Sequence, residues 1–157
     1  AFDARQQFGA AGLALAMAGT SPATALYCVE PEGFDDYRRS LASGRRERNP
    51  AATGSICDAL LVQEPGELTF AINRRLVGDG FAVSENEVRH AMRQAFSLLK
   101  LVAEPGGAVA LAAVLAGRIE TAGRTIGVMI SGGKNPLVAC LKKDRSFLPC
   151  ILALDGI

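Results

Sequence analysis

The sequence predicts a doubly wound α/β fold, with a mainly parallel sheet and helices on both faces. Three observations carry that expectation. Short β-rich apolar runs alternate with helical patterns of about a dozen residues, the rhythm of crossover connections between parallel strands. Glycine or proline turns close the apolar runs at Glu30-Pro31-Glu32-Gly33, Glu104-Pro105-Gly106-Gly107 and Ser131-Gly132-Gly133. The chain has 157 residues, enough for one domain with a real core, so residues 1–157 are read as a single α/β unit.

Residues 9–18 are strong helix formers apart from their glycines, and Gly19 sits where a C-terminal cap would. Their small side chains imply close packing. Residues 23–29 read as a strand, ended at Pro31 because proline gives no N–H to a central ladder. Phe34, Tyr37 and Leu41 recur on one helical face, so a short amphipathic helix runs to about Gly44. Residues 44–54 are basic, polar and broken by Pro50, hence a surface loop, and residues 55–62 are a short, partly apolar stretch. Leu68, Ile72 and Leu76 then give the apolar face of a helix that Gly78 closes, before a brief strand at Phe81-Ala82-Val83.

The strongest helix pattern spans residues 84–101. Ser84 can cap it with Glu87 as capping-box partner, and Val88, Met92, Ala95, Phe96, Leu99 and Val102 form its apolar stripe. His90 lies off that stripe and faces solvent. Residues 102–107 form another strand-end turn leading into a small-residue helix over 108–116. There Glu104 is either a surface charge or an oriented site group, and the residues alone leave both readings open. Residues 125–130 read as a buried parallel strand ending at Ser131-Gly132-Gly133. Ligands bind at such strand ends in open α/β sheets, although an ordinary strand-to-loop turn reads the same way.

Composition narrows the function classes. Seventeen basic and sixteen acidic residues nearly balance, and Arg38-Arg39 and Arg45-Arg46 lie among Glu32, Asp35, Asp36 and Glu47, so no one-signed patch for nucleic acid arises. The cysteines at 28, 57, 140 and 150 form no C-x-x-C pair, and His90 is the only histidine, which argues against zinc. They read as buried free thiols of a reducing, cytoplasmic compartment. No uncharged apolar run reaches the roughly 18 residues of a membrane span, so no membrane partner is expected. Residues 8–19 superficially match a secretory h-region, but Asp3 stands where positive charge is needed and the run serves equally as a buried helix. A Walker A loop fails because Gly127 is one position too early for Gly133-Lys134 and Asn135 replaces Ser or Thr; G-x-G-x-x-G after a strand and G-x-S-x-G are also missing.

Five turns occur in a recognisable order: Val29-Glu30-Pro31-Glu32-Gly33-Phe34-Asp35-Asp36, Cys57-Asp58-Ala59, Pro65-Gly66-Glu67-Leu68-Thr69, Leu99-Lys100-Leu101-Val102-Ala103-Glu104-Pro105 and Ser131-Gly132-Gly133. Together they resemble the C-terminal half of the threonine/serine dehydratase and serine racemase family, pyridoxal-phosphate enzymes of fold type II, the tryptophan-synthase β fold. The resemblance runs from about Ala11 to Gly133, and residues 134–157 diverge from it.

The resemblance implies a partial tryptophan-synthase β-like fold and the cofactor pyridoxal phosphate. Ser131 matches the serine that hydrogen-bonds the pyridine nitrogen, with Gly132 beside it, and Glu104 matches the glutamate near the ring. Glu30, the Phe34 carbonyl and Asp36 match the positions that hold magnesium or calcium in metal-dependent members, an oxygen set suited to either ion. An acid-decorated helix N-terminus is the competing reading of those three residues. The implied reaction is an ammonia-lyase (dehydratase) reaction on an amino-acid substrate, giving a 2-oxo acid and ammonia, with racemase activity not separable from it.

Departures from the family pattern matter as much. The lysine that holds the cofactor belongs to the family's N-terminal half, and Lys100, Lys134, Lys142 and Lys143 match no such position. Where the family has a tetraglycine phosphate loop, this chain has Arg5-Gln6-Gln7-Phe8. Ala59, Gly106 and Lys134 depart from the family's usual residues as well. The expectation is therefore the C-terminal portion of such an enzyme, inactive as an isolated chain. Its partners are then the N-terminal half or a partner chain, and apolar surface left open around the cleft favours a homo-oligomer. The alternative is a non-catalytic α/β binding or assembly module that keeps the fold.

Overall fold

The structure is a computed structural model that describes residues 4–130. Its first helix, α1 (Ala4–Thr20), outruns the expected 9–18 at both ends. Gly19 lies inside it. The Thr20 hydroxyl donates to the Ala16 carbonyl at 2.8 Å and the Ser21 N–H to that of Met17 at 2.8 Å, so terminal carbonyls are satisfied without a left-handed glycine. Ala11 and Ala14 are buried, and α1 packs on α3 (Glu67–Leu76), the close approach that small side chains permit.

Two strands pair in parallel, β1 (Cys28–Pro31) and β2 (Gly80–Val83), in register from Cys28 opposite Gly80 to Pro31 opposite Val83. The connection between them carries α2 (Asp36–Ser43), a single 3-10 turn at Asp58–Leu60, and α3. β1 starts later than the expected residue 23, and Pro31 is part of it. The ladder explains why. The Glu32 N–H donates to the Val83 carbonyl at 2.9 Å and the Leu26 carbonyl accepts from Gly78 at 2.8 Å, so even-numbered residues of β1 address β2 and odd-numbered ones face the other edge. Proline at 31 thus costs β2 no hydrogen bond.

Side chains alternate accordingly. Val29 packs on the core formed by Cys57, Val83, Val88, Ala91 and Met92 with Ala108, Val109, Ala112 and Ala113, which belong to α4 (Glu85–Gln94), α5 (Pro105–Leu115) and the segments beside them. Glu30 turns to the opposite face, onto the first turn of α2. Helices therefore cover both faces of a parallel sheet, as expected.

Local signals hold at several ends. Gly44 ends α2 with φ 74°, a left-handed value that glycine adopts without strain. Ser84 and Glu87 form the complete capping box at the start of α4. Ser84→Ala is expected to cost about 1 kcal/mol of stability, read as a lower urea midpoint with unchanged slope. Pro105 occupies the first turn of α5, which begins earlier than residue 108 because proline lacks an N–H that would have no helical partner there.

Other expectations need correction. In α3 the buried residues are Thr69, Phe70 and Asn73, not the leucine stripe, and Leu68 is 67% exposed. Phe70 meets the Tyr37 ring edge-on at 6.1 Å and Asn73 donates to the Tyr37 hydroxyl at 2.9 Å, so one aromatic partner on α2 selects that face. The helix from Ser84 does not run to Leu101. It widens into a π turn over Ala95–Leu99 and stops at Lys100, whose φ is 58°. A wider turn rotates the stripe away from the core, which leaves Leu99 54% and Val102 44% exposed. No strand precedes Glu104; it is the N-cap residue of α5.

Residues 125–130 likewise form no strand. Exposure alternates along them but no neighbour among the described residues completes a ladder, and Met129 is 63% exposed rather than buried. No helix among the described residues is long and apolar enough to cross a membrane.

Candidate functional site

A cleft follows from the edge of β1 that no strand among the described residues covers. It encloses about 430 Å³ and is lined by every residue from Leu26 to Glu30, between Gly9 and Leu13 of α1, Asn73 of α3, and Gly106 and Val109 of α5. Consecutive strand residues point to opposite faces, so a cleft touching all of them opens on the strand's edge. Met129 lines it as well.

At its polar end the carboxylates gather. Glu30 accepts the Tyr37 N–H at 3.1 Å and the Arg38 N–H at 2.8 Å, serving as a remote cap for α2. Burial, then repulsion from Asp36, pushes its carboxyl up to about 8. Burial also lifts Asp36 to about 6, although Asn49 donates to its Oδ1 at 2.7 Å. Asn49 donates in addition to the Val62 carbonyl at 2.7 Å, tying the loop to α2, while Arg39 bridges Asn49 and Asp35. Among the described residues, two buried side-chain oxygens have no partner: Asp36 Oδ2 and Asn73 Oδ1.

Cys28 and Cys57 are free thiols, as expected. Burial first, then the Glu30 charge, pushes Cys28 up to about 12, and burial takes Cys57 to about 11, so neither is a nucleophile at neutral pH. Cys140 and Cys150 lie outside the described residues. His90 is exposed. Among the described residues no group of three or more His, Cys, Asp or Glu gathers as a metal cluster.

Sequence comparison decides what this scaffold is. Residues 8–132 match the family described as pyridoxal-phosphate dependent enzyme. The chain belongs to that family. It is 35% identical over 127 residues to serine racemase of Oryza sativa subsp. indica, covering 78% of this chain and 37% of that protein. It is 33% identical over 122 residues to L-threonine ammonia-lyase of Thermotoga maritima, covering 78% of this chain and 30% of that protein. Among solved structures, a T.th. threonine deaminase superposes with a TM-score of 0.75 at 40% identity, over 81% of this chain and 45% of that one. Maize serine racemase superposes at 0.74 and 30% identity, over 92% and 44%. The chain thus spans less than half the length of these relatives.

Enzymes of this pyridoxal-phosphate family use the cofactor, yet the described residues alone do not make a complete site for it. Ser131 and Gly132 lie outside the described residues. Glu104 is half-buried at the start of α5, two positions before Gly106 on the cleft wall, and does not itself line the cleft. Residues 5–8 stand within the first turns of α1, a helix where a glycine loop would be needed. Lys100 is the single lysine among the described residues, and it is exposed, with its Nζ donating to the Ser97 carbonyl at 2.7 Å. Of the matched cation positions, Glu30 and Asp36 come together, and Phe34 is buried directly before the helix that Glu30 caps.

Sequence reasoning missed Asn49 and Asn73, and read Tyr37 only as part of an apolar helix face. Asn73 sits three residues after Phe70, a signal the more conspicuous leucines of that helix obscured. Asn49 reaches Asp36 from a loop that carries no periodicity at all.

Proposed function

We propose that this chain provides the C-terminal, cofactor-facing wall of an ammonia-lyase that converts a β-hydroxy amino acid, threonine or serine, to a 2-oxo acid and ammonia. The observation that carries the reading is the match to a threonine deaminase at 40% identity and a TM-score of 0.75. On this reading the lysine that holds the cofactor, the phosphate cradle and the substrate-carboxylate contacts come from residues outside the matched span. The isolated chain then shows no turnover. Ser131, with Gly132 leaving room beside it, is proposed to meet the pyridine nitrogen, and Glu104 to stand near the ring. A neutral hydroxyl there leaves the ring less electron-withdrawing than a carboxylate partner would, which suits elimination.

A structural magnesium or calcium ion is proposed on Glu30, the Phe34 carbonyl and Asp36. Two mutually repelling carboxylates and the orphaned Asp36 Oδ2 support it, since a cation relieves both. The exposed run Leu98, Leu99, Leu101 and Val102 supports self-association of the chain on its own.

The test is a chimera in which residues 9–132 replace the matched span of the T.th. threonine deaminase, whose own phosphate loop and lysine are kept. Deamination of threonine within about a hundredfold of the parent is expected. A soluble chimera that carries the cofactor and forms no 2-oxo acid from threonine or serine would contradict the proposal.

A further inference from the structure

We propose that Glu85 is a positioning residue for the ammonia-lyase reaction, a role that rests on the reading given above: it holds residues 55–60 against the start of α5 and so fixes the cleft wall beside Glu104. Glu85 is the second residue after β2, at the carboxyl end of a parallel strand, where ligands gather in such sheets. Its two oxygens have different work. Oε1 accepts the Ile56 N–H at 2.9 Å, from a residue 29 positions earlier in the chain, and Oε2 accepts from Arg89 at 2.9 Å, one helical turn further along α4. The ion pair holds the carboxylate in the orientation that meets Ile56.

What hangs on that bond is the 3-10 turn at Asp58–Leu60, which follows the buried Cys57 and packs on α5. A Cβ at Gly106 would lie 3.4 Å from Leu60 Cγ and 3.6 Å from Ala59 Cβ, so those two side chains stand against the helix start two residues after Glu104. Leu60 and Gly106 both line the cleft. Within the turn the hydrogen bonds are local: the Cys57 N–H donates to the Ser55 hydroxyl at 3.2 Å, that of Ala59 to Asp58 at 2.9 Å and that of Leu60 to the Cys57 carbonyl at 2.8 Å. They shape the turn without placing it. Glu85 places its near end, and Asn49, donating to the Val62 carbonyl, its far end. A backbone donor on an ionised acceptor is one of the stronger hydrogen bonds, and its loss leaves a part-buried N–H unsatisfied. An acid in the first turn of a helix with an i,i+4 arginine also serves the helix alone, but that role involves no bond to Ile56.

Three substitutions test it, each made in the full chain and in the threonine deaminase chimera. Glu85→Ala removes both interactions, Glu85→Gln keeps an acceptor for Ile56, and Arg89→Ala removes only the ion pair. In the full chain, exchange of the Ile56 amide is expected to speed up at least about tenfold in Glu85→Ala and to stay within about threefold in the other two, while the Ala91 amide inside α4 is unchanged in all three. In the chimera, kcat for threonine is expected to fall about tenfold in Glu85→Ala and to recover most of that in Glu85→Gln. KM is expected to stay within about threefold, because the substrate-carboxylate contacts are proposed to lie outside the matched span. The proposal is overturned if Glu85→Ala leaves Ile56 exchange unchanged, if an active chimera keeps its kcat in Glu85→Ala, or if Arg89→Ala lowers kcat as much as Glu85→Ala does. A parent chimera that forms no 2-oxo acid is a separate failure, since it overturns the ammonia-lyase reading and takes this role of Glu85 with it.

Discussion

Gly80→Ala is expected to destabilise the chain by about 3 kcal/mol, read as a fall in the urea midpoint, because the β2–α2 contact has no room for a methyl group. A Cβ at position 80 would lie 2.8 Å from both Cα and Cβ of Arg38 and 2.9 Å from Cys28 Sγ. The obstacle is helix backbone, not the tip of a mobile side chain, so relief requires α2 to move off the sheet. That movement would also disturb the hydrogen bonds from Tyr37 and Arg38 to Glu30. Gly12→Ala is the control: nothing lies within 4 Å of its Cβ, and alanine suits a helix better than glycine, so no loss is expected. Equal effects of the two substitutions would contradict the close packing of β2 on α2.

Stability is expected to fall as pH rises from about 5 to 8, by a few kcal/mol. The sign follows from proton binding. Glu30 moves from 4.5 to about 8 on folding and Asp36 from 3.8 to about 6, so the folded chain holds protons that the unfolded chain releases. The stabilising effect is fully present below the unfolded values and is lost as pH passes the folded ones. Thermal melts across that range check it, and Glu30→Gln is expected to flatten most of the slope. If magnesium or calcium binds at Glu30 and Asp36, saturating cation restores stability at pH 8 in the parent and not in Glu30→Gln. A parent that melts equally at pH 5 and pH 8 without cation would contradict the buried carboxylate pair.

What the sequence made legible was local. The Ser84–Glu87 capping box, the left-handed Gly44 and Pro105 at a helix start depend on neighbours a few residues away, and each stands where its pattern put it, within a few residues. Alternating β and α patterns gave the class of fold for the same reason. Features that failed depend on distant partners. Asn73 is buried because Tyr37 lies across the packing interface, and a leucine count cannot register that. Residues 125–130 carry a strand's alternation, but a strand exists only when another backbone completes it. The π turn at Ala95–Leu99 has no periodic signature before it occurs.

At the site, Glu30 and Asp36 were legible as a pair through the order of turns, and the structure brings them together. Their electrostatics were not legible, because the shifts come from burial under α2 and from Asn49 on a remote loop. The open edge of β1 was invisible for the converse reason, since a strand edge with no neighbour among the described residues carries no mark in its own sequence.

The most direct test is intact-mass analysis of the purified chain after incubation with pyridoxal phosphate and borohydride reduction, followed by peptide mapping. A chain that carries only the cofactor-facing wall gives no adduct, or scattered substoichiometric labelling over Lys100, Lys134, Lys142 and Lys143. A single stoichiometric adduct on one lysine would contradict it, because the chain would then hold a specific anchor for the cofactor by itself.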